Sequence, residues 1–279
     1  MQDEQDTDRF HTKKSLGQHF LTSDIVPQWM ADAAELQPGE QVLEIGPGTG
    51  VLTAHLLARG ATVIALETDP RALAVLTQRF AAEIEHGILT LLHTDARQLD
   101  LAALGLEDHG FKIVANIPYY LSGRLFRTCL AGAVQPSTLV FLVQKEVGKR
   151  VTSDIARGQK HSLLSLAVQV YGQATYVRTV SRGHFNPPPA VDSAIVAVQN
   201  ITRENFRDLN AEAFFSLLHL GFGQKRKQLI HNLATRYDRT TILHALEVQG
   251  LSPTVRAEAV SLEDWLALAK QLVSTGHTK

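Results

Sequence analysis

The sequence predicts an α/β fold in which a mainly parallel sheet is wound on both faces by helices, followed by a small all-α C-terminal domain. Three observations carry this. Five short apolar runs, at residues 41–45, 62–66, 88–92, 112–115 and 139–143, alternate with segments whose apolar residues recur at the helical period, the order left by strand–helix crossovers. A glycine-rich turn, Gly46-Pro47-Gly48-Thr49-Gly50, directly follows the first run, at the strand end where open α/β sheets bind ligands. Beyond Thr202 the strand-like runs cease and only helical periodicity remains.

Taken in order, residues 24–35 read as a first helix. Residues 41–45 form a buried strand ending in the glycine turn, from which a helix leaves over 51–59. The run 62–66 is the second strand. Asp69 before Pro70 supplies an N-cap and then a proline at the first helical position, which starts the helix 71–80. Strands at 88–92, 112–115 and 139–143 alternate with helices at 123–130 and 145–151. Residues 161–171 read as a further helix, and 175–180 with 193–198 as a closing strand pair. The helical tail comprises 210–220, 225–236, 240–249 and 262–273, so the expected domains are 13–202 and 203–279. Residues 1–12, which carry Asp3, Glu4, Asp6 and Asp8, are expected to be a disordered tail, because acidic segments poor in apolar residues bury too little to fold.

Composition narrows the function classes. With 279 residues, 44% of them hydrophobic, the chain can bury one large core and one small one. A single cysteine, Cys129, excludes an internal disulfide and a cysteine zinc site. It lies in the apolar pattern 125–130 and reads as a core residue; no metal site is expected. No apolar run approaches eighteen residues and no signal peptide is present. The expectation is therefore a soluble, cytoplasmic monomer.

The chemistry is carried by Asn116-Ile117-Pro118-Tyr119, directly after the apolar run 111–115. The exocyclic amine of a nucleobase is a poor nucleophile, because its lone pair is delocalised into the ring. Hydrogen-bond acceptors can draw that nitrogen toward tetrahedral geometry and aim it at a methyl donor; the Asn116 side-chain carbonyl and the Ile117 backbone carbonyl are of the right kind. Pro118 fixes its own φ and holds Ile117 extended, so that carbonyl has a set direction. Tyr119 offers a ring on which a flipped-out base can stack. Four residues alone fit an ordinary strand exit with a buried tyrosine equally well.

Acids at successive strand ends add a cofactor reading. Glu44 precedes the glycine turn, whose spacing is Gly-x-Gly-x-Gly and not the dinucleotide Gly-x-Gly-x-x-Gly. A carboxylate there repels a pyrophosphate and suits a ligand bearing an ammonium and a sulfonium, so methyl transfer from S-adenosylmethionine outranks hydride transfer. Glu67 ends the second strand about twenty residues past the turn, placed to accept from ribose hydroxyls. Asp95 follows the third strand in His93-Thr94-Asp95-Ala96 and can accept from an adenine amine. Singly, each acid fits a solvated loop or a helix cap.

With these motifs in order, the chain resembles the KsgA (RsmA) rRNA adenine N6-dimethyltransferase family. The resemblance also rests on Lys14-Ser15-Leu16-Gly17-Gln18-His19-Phe20-Leu21, Gln144-Lys145-Glu146, and Phe185-Asn186-Pro187-Pro188-Pro189-Ala190-Val191-Asp192-Ser193. It covers residue 13 to the end, since Gly223-Gln224-Lys225-Arg226-Lys227 with Asn232-Leu233, and Arg256-Ala257-Glu258, are similar to the family's helical tail. It implies a Rossmann-like S-adenosylmethionine-dependent methyltransferase sheet. The implied activity is N6,N6-dimethylation of two adjacent adenosines in small-subunit (16S) rRNA, with a role in small-subunit biogenesis, so the partners are that rRNA and the assembling subunit. It further implies that Gln18, His19, Leu21, Gly46, Gly48, Glu67, Asp95, Ala96 and Asn116 line the cofactor pocket, and that Phe185 lies across the target base from Tyr119. Large-subunit resistance methylases share the active-site motifs; an assembly factor acting mainly by binding is a further alternative. Two departures stand out. Ala190 occupies a position where the family often has a cation, and the charge is nearly balanced, with 27 Lys+Arg against 28 Asp+Glu.

Nucleic-acid affinity comes largely from neutralising phosphates, so here it must come from local patches. The candidates are Lys13 and Lys14, Lys145 with Lys149 and Arg150, and Lys225, Arg226 and Lys227. Three adjacent cations at an expected helix start oppose the helix dipole, which points to an external polyanion. Arg124 and Arg127 read as an ordinary solvated helix face.

Overall fold

The computed structural model describes residues 19–274; the expected tail 1–12, Lys13, Lys14 and Gln18 lie outside them. The described chain opens on a two-residue strand, β1 (Phe20–Leu21), and helix α1 (Ile25–Ala33). The α/β alternation then follows as β2 (Gln41–Ile45), α2 (Val51–Ala58), β3 (Thr62–Glu67), α3 (Pro70–Arg79), α4 (Ala81–Glu85) and β4 (Leu89–His93). It continues through β5 (Phe111–Asn116), α5 (Ser122–Ala131), β6 (Thr138–Gln144), α6 (Lys145–Val151) and α7 (Leu163–Gln169). Strands β7 (Gln173–Val180), β8 (Phe185–Asn186) and β9 (Ser193–Gln199) precede the helices α8 (Ala211–Gly221), α9 (Leu229–Leu233), α10 (Arg239–Val248) and α11 (Leu262–Ser274).

Seven strands form one sheet in the order β4-β3-β2-β5-β6-β9-β7. The first five are parallel, and β9 runs antiparallel to both its neighbours. The chain moves outward from β2 to β4 and then returns to place β5 on the other side of β2. That reversal opens a crevice at the carboxyl ends of β2 and β5, the place where doubly wound sheets bind ligands.

The strands read as nearly unbroken apolar runs because both faces are covered. Side chains alternate between the two faces: Leu43, Ile113, Ala115, Leu139, Phe141, Val196 and Val198 join one hydrophobic cluster, and Val42, Val114, Val140, Leu142, Ile195 and Ala197 the other. The second cluster is closed by Val26 and Met30 of α1 and by Leu52 and Leu56 of α2. The first runs without a break from the sheet into the C-terminal helices, through Phe214, Leu229, Leu246 and Trp265. Cys129 is fully buried in it, and burial pushes the thiol pKa up.

Two expected helices are shorter than their periodicity suggests. The segment 161–171 begins only at Leu163, because Ser162 and Ser165 exchange side-chain and backbone bonds in a capping box. The segment 225–236 reduces to α9, because Lys225, Arg226 and Lys227 lie in an exposed turn ahead of it. That turn is closed by a 3.0 Å bond from the Lys227 amide to the Gln224 carbonyl. Its cations therefore do not sit on a helix N-terminus, and the dipole argument for an external polyanion falls away. Strands β1 and β8 and helix α4 are too short for periodicity to reveal. Among the described residues no helix is long and apolar enough to cross a membrane.

The segment leaving β9 is tied back to the sheet by Arg203, whose guanidinium donates to Asp108 at 2.9 and 2.7 Å. The hydrogen-bonded Arg203 holds the Asp108 carboxyl down at about 2. A carboxyl depressed on folding contributes stability that is present above its unfolded pKa and lost as pH falls through the folded one. Arg203→Ala should therefore lower stability by about 1 kcal/mol at neutral pH, a modest figure because both side chains are over a third exposed and water screens them. In urea titrations the deficit should shrink between about pH 4 and pH 2. An equal deficit across that window would remove the pair's role.

Candidate active site

The crevice is lined by His19, Phe20, Ile45, Gly46, Gly48, Leu66, Glu67, Asp95, Ala96, Arg97 and the turn from Asn116 to Leu121. The glycine turn forms one wall. Gly48 has φ +59°, which favours glycine, and a Cβ placed there would lie 2.8 Å from the Phe20 ring. The segment before α1 thus rests directly on the glycine turn.

Glu67, at the end of β3, is buried and holds this wall in shape. Its Oε2 accepts the Gly48 amide at 3.1 Å, and its Oε1 accepts the Thr68 and Asp69 amides at 2.8 Å each. The same carboxylate that faces the crevice therefore fixes the backbone around it. Asp95 follows β4, the strand paired beside Glu67, and is clamped by Arg97, whose Nη2 and Nε donate to Oδ2 at 2.6 and 2.9 Å. These hydrogen bonds hold the Asp95 carboxyl below its usual range.

Glu44 is not on the crevice wall. It shares the face of β2 that carries Val42, so pleating turns it under the glycine turn toward α2. There Thr53 Oγ1 donates to its Oε2 at 2.7 Å, while Oε1 is buried without a partner. Burial, offset in part by Thr53 and reinforced by Glu67, raises its pKa to about 8. The expected anion facing a ligand's ammonium is thus an enclosed, largely protonated carboxyl at neutral pH, one layer behind the wall.

The Asn116 turn closes the crevice. Asn116 ends β5, and its Nδ2 donates to the His19 carbonyl at 3.1 Å. That bond commits the amide nitrogen and leaves Oδ1 as the free acceptor on a residue of the crevice wall. Pro118 has φ −58° and ψ 130° and leads into a single 3₁₀ turn, Tyr119–Leu121. Tyr119 is anchored at its hydroxyl by Ser193 Oγ at 2.6 Å and is stacked by the His19 ring at 5.6 Å. Burial raises its pKa, so the phenol is neutral. His19 Nδ1 in turn lies 2.8 Å from the Pro187 carbonyl.

The sequence motifs around Phe20 and Phe185 meet as the antiparallel pair β1–β8, with Phe20 opposite Asn186 and Leu21 opposite Phe185. This pairing buries Leu21 and Phe185 in the second hydrophobic cluster, so neither side chain is on the crevice wall as expected. Phe185 supports the strap that carries His19. Sequence reading also missed Thr53, Ser193, Arg97 and Tyr120. Only Ser193 carried a signal, as the last residue of the proline-rich motif.

The cations are spread over a second surface. Lys149 is paired with Glu146 at 3.5 Å, and Arg150 forms no salt bridge among the described residues. Both line a wide groove between α6, β7 and the start of α11, which holds none of the crevice residues. Lys225, Arg226 and Lys227 are exposed and likewise form no salt bridge among the described residues.

The family model described as ribosomal RNA adenine dimethylase matches residues 9–273. A ribosomal RNA small subunit methyltransferase A of Dehalococcoides mccartyi is 37% identical over 258 residues, covering 92% of this chain and 87% of that protein. One of Thermosynechococcus vestitus is 38% identical over 266 residues, covering 93% and 96%. Among solved structures, a dimethyladenosine transferase from Plasmodium falciparum superposes with a TM-score of 0.78 at 26% identity, covering 93% of this chain and 99% of that one. The 23S rRNA methyltransferase ErmE superposes with a TM-score of 0.71 at 27% identity, covering 91% and 99%. With a family match across nearly the whole chain, and with an Asn-x-Pro-Tyr turn beside a glycine crevice, the chain belongs to the ribosomal RNA adenine dimethylase family.

Proposed function

We propose that the crevice transfers methyl groups from S-adenosylmethionine to N6 of two adjacent adenosines in small-subunit rRNA, during assembly of that subunit in the cytoplasm. The carrying observation is the Asn116 amide, with Nδ2 committed to the His19 carbonyl and Oδ1 left for an amine. Relatives named for the small subunit, at 37 and 38% identity, support this target over the large-subunit one suggested by ErmE at 27%.

The donor set fits the cofactor. Glu67 offers its remaining lone pairs to ribose hydroxyls, and the glycine turn lets the backbone come close. Asp95 offers an acceptor to an adenine amine once Arg97 yields one of its bonds. When bound, S-adenosylmethionine supplies an electrophilic methyl group. The chain's own contribution is positional. Asn116 Oδ1 and the Ile117 carbonyl accept from the target amine and hold its lone pair out of the ring. Tyr119, fixed by Ser193 and backed by His19, gives the base a rigid face. Aligned acceptors of this kind act most strongly where charge develops on the amine.

Three outcomes follow. Asn116→Ala should reduce single-turnover methylation of small-subunit RNA by two or more orders of magnitude, by analogy with loss of one oxyanion-hole donor, with RNA affinity nearly unchanged. Tyr119→Ala should weaken both rate and RNA affinity by a stacking face, roughly 1 to 3 kcal/mol, while Tyr119→Phe should lose only the Ser193 anchor and keep much of the activity. A full rate for Asn116→Ala would remove the catalytic assignment.

Glu67→Ala should weaken S-adenosylmethionine by roughly 1.5 to 3 kcal/mol in calorimetry. It should also lower the melting temperature, because three backbone amides lose their acceptor. Unaltered cofactor affinity would make Glu67 purely a scaffold.

Neutralising Lys225, Arg226 and Lys227 together should flatten the salt dependence of RNA binding by up to about three counterions. An unchanged slope would mean that the turn does not touch RNA.

A further inference from the structure

Beside the Asn116 turn lies a cluster that the proposed reaction does not use. Tyr119 and Tyr120 occupy successive positions of a 3₁₀ turn, which advances about a third of a turn per residue, so they point different ways. Tyr119 is directed inward to Ser193, whereas Tyr120 is 62% exposed at the mouth of the crevice. Its phenol is within electrostatic reach of the Arg97 guanidinium. That guanidinium is held in one plane by two bonds to Asp95, yet its side chain is 60% exposed. Arg124 donates to the Arg97 backbone carbonyl and, among the described residues, forms no salt bridge. A phenol ring and a guanidinium plane therefore line the place where a base would enter, with the exposed Arg124 joined to Arg97 just behind them.

We propose that Tyr120, with Arg97 and Arg124, is a second binding subsite that holds the nucleotide next to the target adenosine in single-stranded RNA. An isolated exposed tyrosine is unremarkable on a protein surface; this one continues the crevice wall and stands among guanidinium groups. Unstacked bases bind to aromatic rings and to arginine planes, and the phosphate between two nucleotides is met by a free guanidinium fork. Arg97 offers the neighbouring base its plane, Tyr120 offers its ring, and Arg124 keeps donors for the phosphate. The subsite has a mechanical use. A nucleotide pulled out of a helix tends to return to its stack, and gripping its neighbour outside the crevice opposes that return.

This inference rests on the reading of the crevice as an RNA methylation site, and the test separates the two. Steady-state methylation of small-subunit RNA by Tyr120→Ala should show a rise of about 5- to 100-fold in the half-saturating RNA concentration, the range for one lost stacking face, with a smaller change in kcat. Tyr120→Phe and Tyr120→Trp should restore it. RNA that is abasic at either neighbour of the target should impair the wild-type enzyme by a similar factor at one of the two positions. That same abasic RNA should cost Tyr120→Ala nothing further. Half-saturation within twofold of wild type for Tyr120→Ala, or abasic losses that add in full to the mutation, would overturn the subsite. Were Tyr120→Ala to unfold, the abasic RNAs with wild-type enzyme decide alone, and a loss under twofold at both neighbours would overturn it. In each of these cases Asn116→Ala should still lose two or more orders of magnitude in turnover; if it does not, the role given to Asn116 fails and not the subsite.

Discussion

The bond from Asn116 Nδ2 to the His19 carbonyl is the contact on which the site depends. An amide has two chemically opposite ends, and a catalyst for amine methylation needs the oxygen end. Committing the nitrogen to a backbone carbonyl makes that choice structurally. The carbonyl is available only because the segment before α1 is strapped down by β1–β8 pairing and by Phe20 resting on Gly48. The proline-rich segment, which lies far from Asn116 in sequence, therefore acts on the chemistry through a chain of three contacts: Pro187 to His19, His19 to Asn116, and His19 to Tyr119.

Two carboxyls close to the glycine turn show how burial divides labour. Glu67 accepts three amides and is satisfied as an anion by the backbone that it organises. Glu44 has one hydroxyl donor and an orphaned oxygen, and its neighbour Glu67 adds repulsion. Burying a second charge there would be costly, so the proton stays with Glu44 up to about pH 8. One carboxylate shapes the wall, and the other stabilises the helix behind it through Thr53 without adding charge.

Much of this was legible in the sequence, for identifiable reasons. The parallel strands were, because strands covered on both faces must be apolar throughout; the strand order, with its reversal between β2 and β5, was not, because pairing partners leave no periodicity in the chain. Asn116 to Tyr119, Glu67 and Asp95, which the structure brings to one crevice, could be picked out because each lies at a strand end. Glu44 was misplaced because spacing along a strand does not by itself say which face meets the ligand. Leu21 and Phe185 were misplaced because a two-residue strand has no period to detect, and only the pairing reveals that both are buried. The turn at Lys225 to Lys227 was read as helix because an apolar period resuming at Leu229 extends backward through residues that the tertiary structure holds otherwise. Arg97 and Tyr120 carried no sequence signal, since exposure at a cleft mouth is a property of the fold alone.

Near-neutral net charge does not weaken the case for an RNA substrate, because a polyanion responds to charge within about a Debye length, roughly 8 Å at physiological salt, and not to the molecule's total. Lys112, Lys145, Lys160 and Arg203 are neutralised by acids beside them. The cations without such partners among the described residues include Arg150 and the turn Lys225 to Lys227, and these are exposed. An RNA held at a few separated points, with its interior stretches unclamped, can present one nucleotide to a narrow crevice while the rest of the strand keeps its own fold. Few phosphate contacts also mean a shallow salt dependence and modest non-specific affinity. In the proposed reaction, discrimination then falls to shape and stacking at the crevice, where the Tyr119 hydroxyl is held by Ser193.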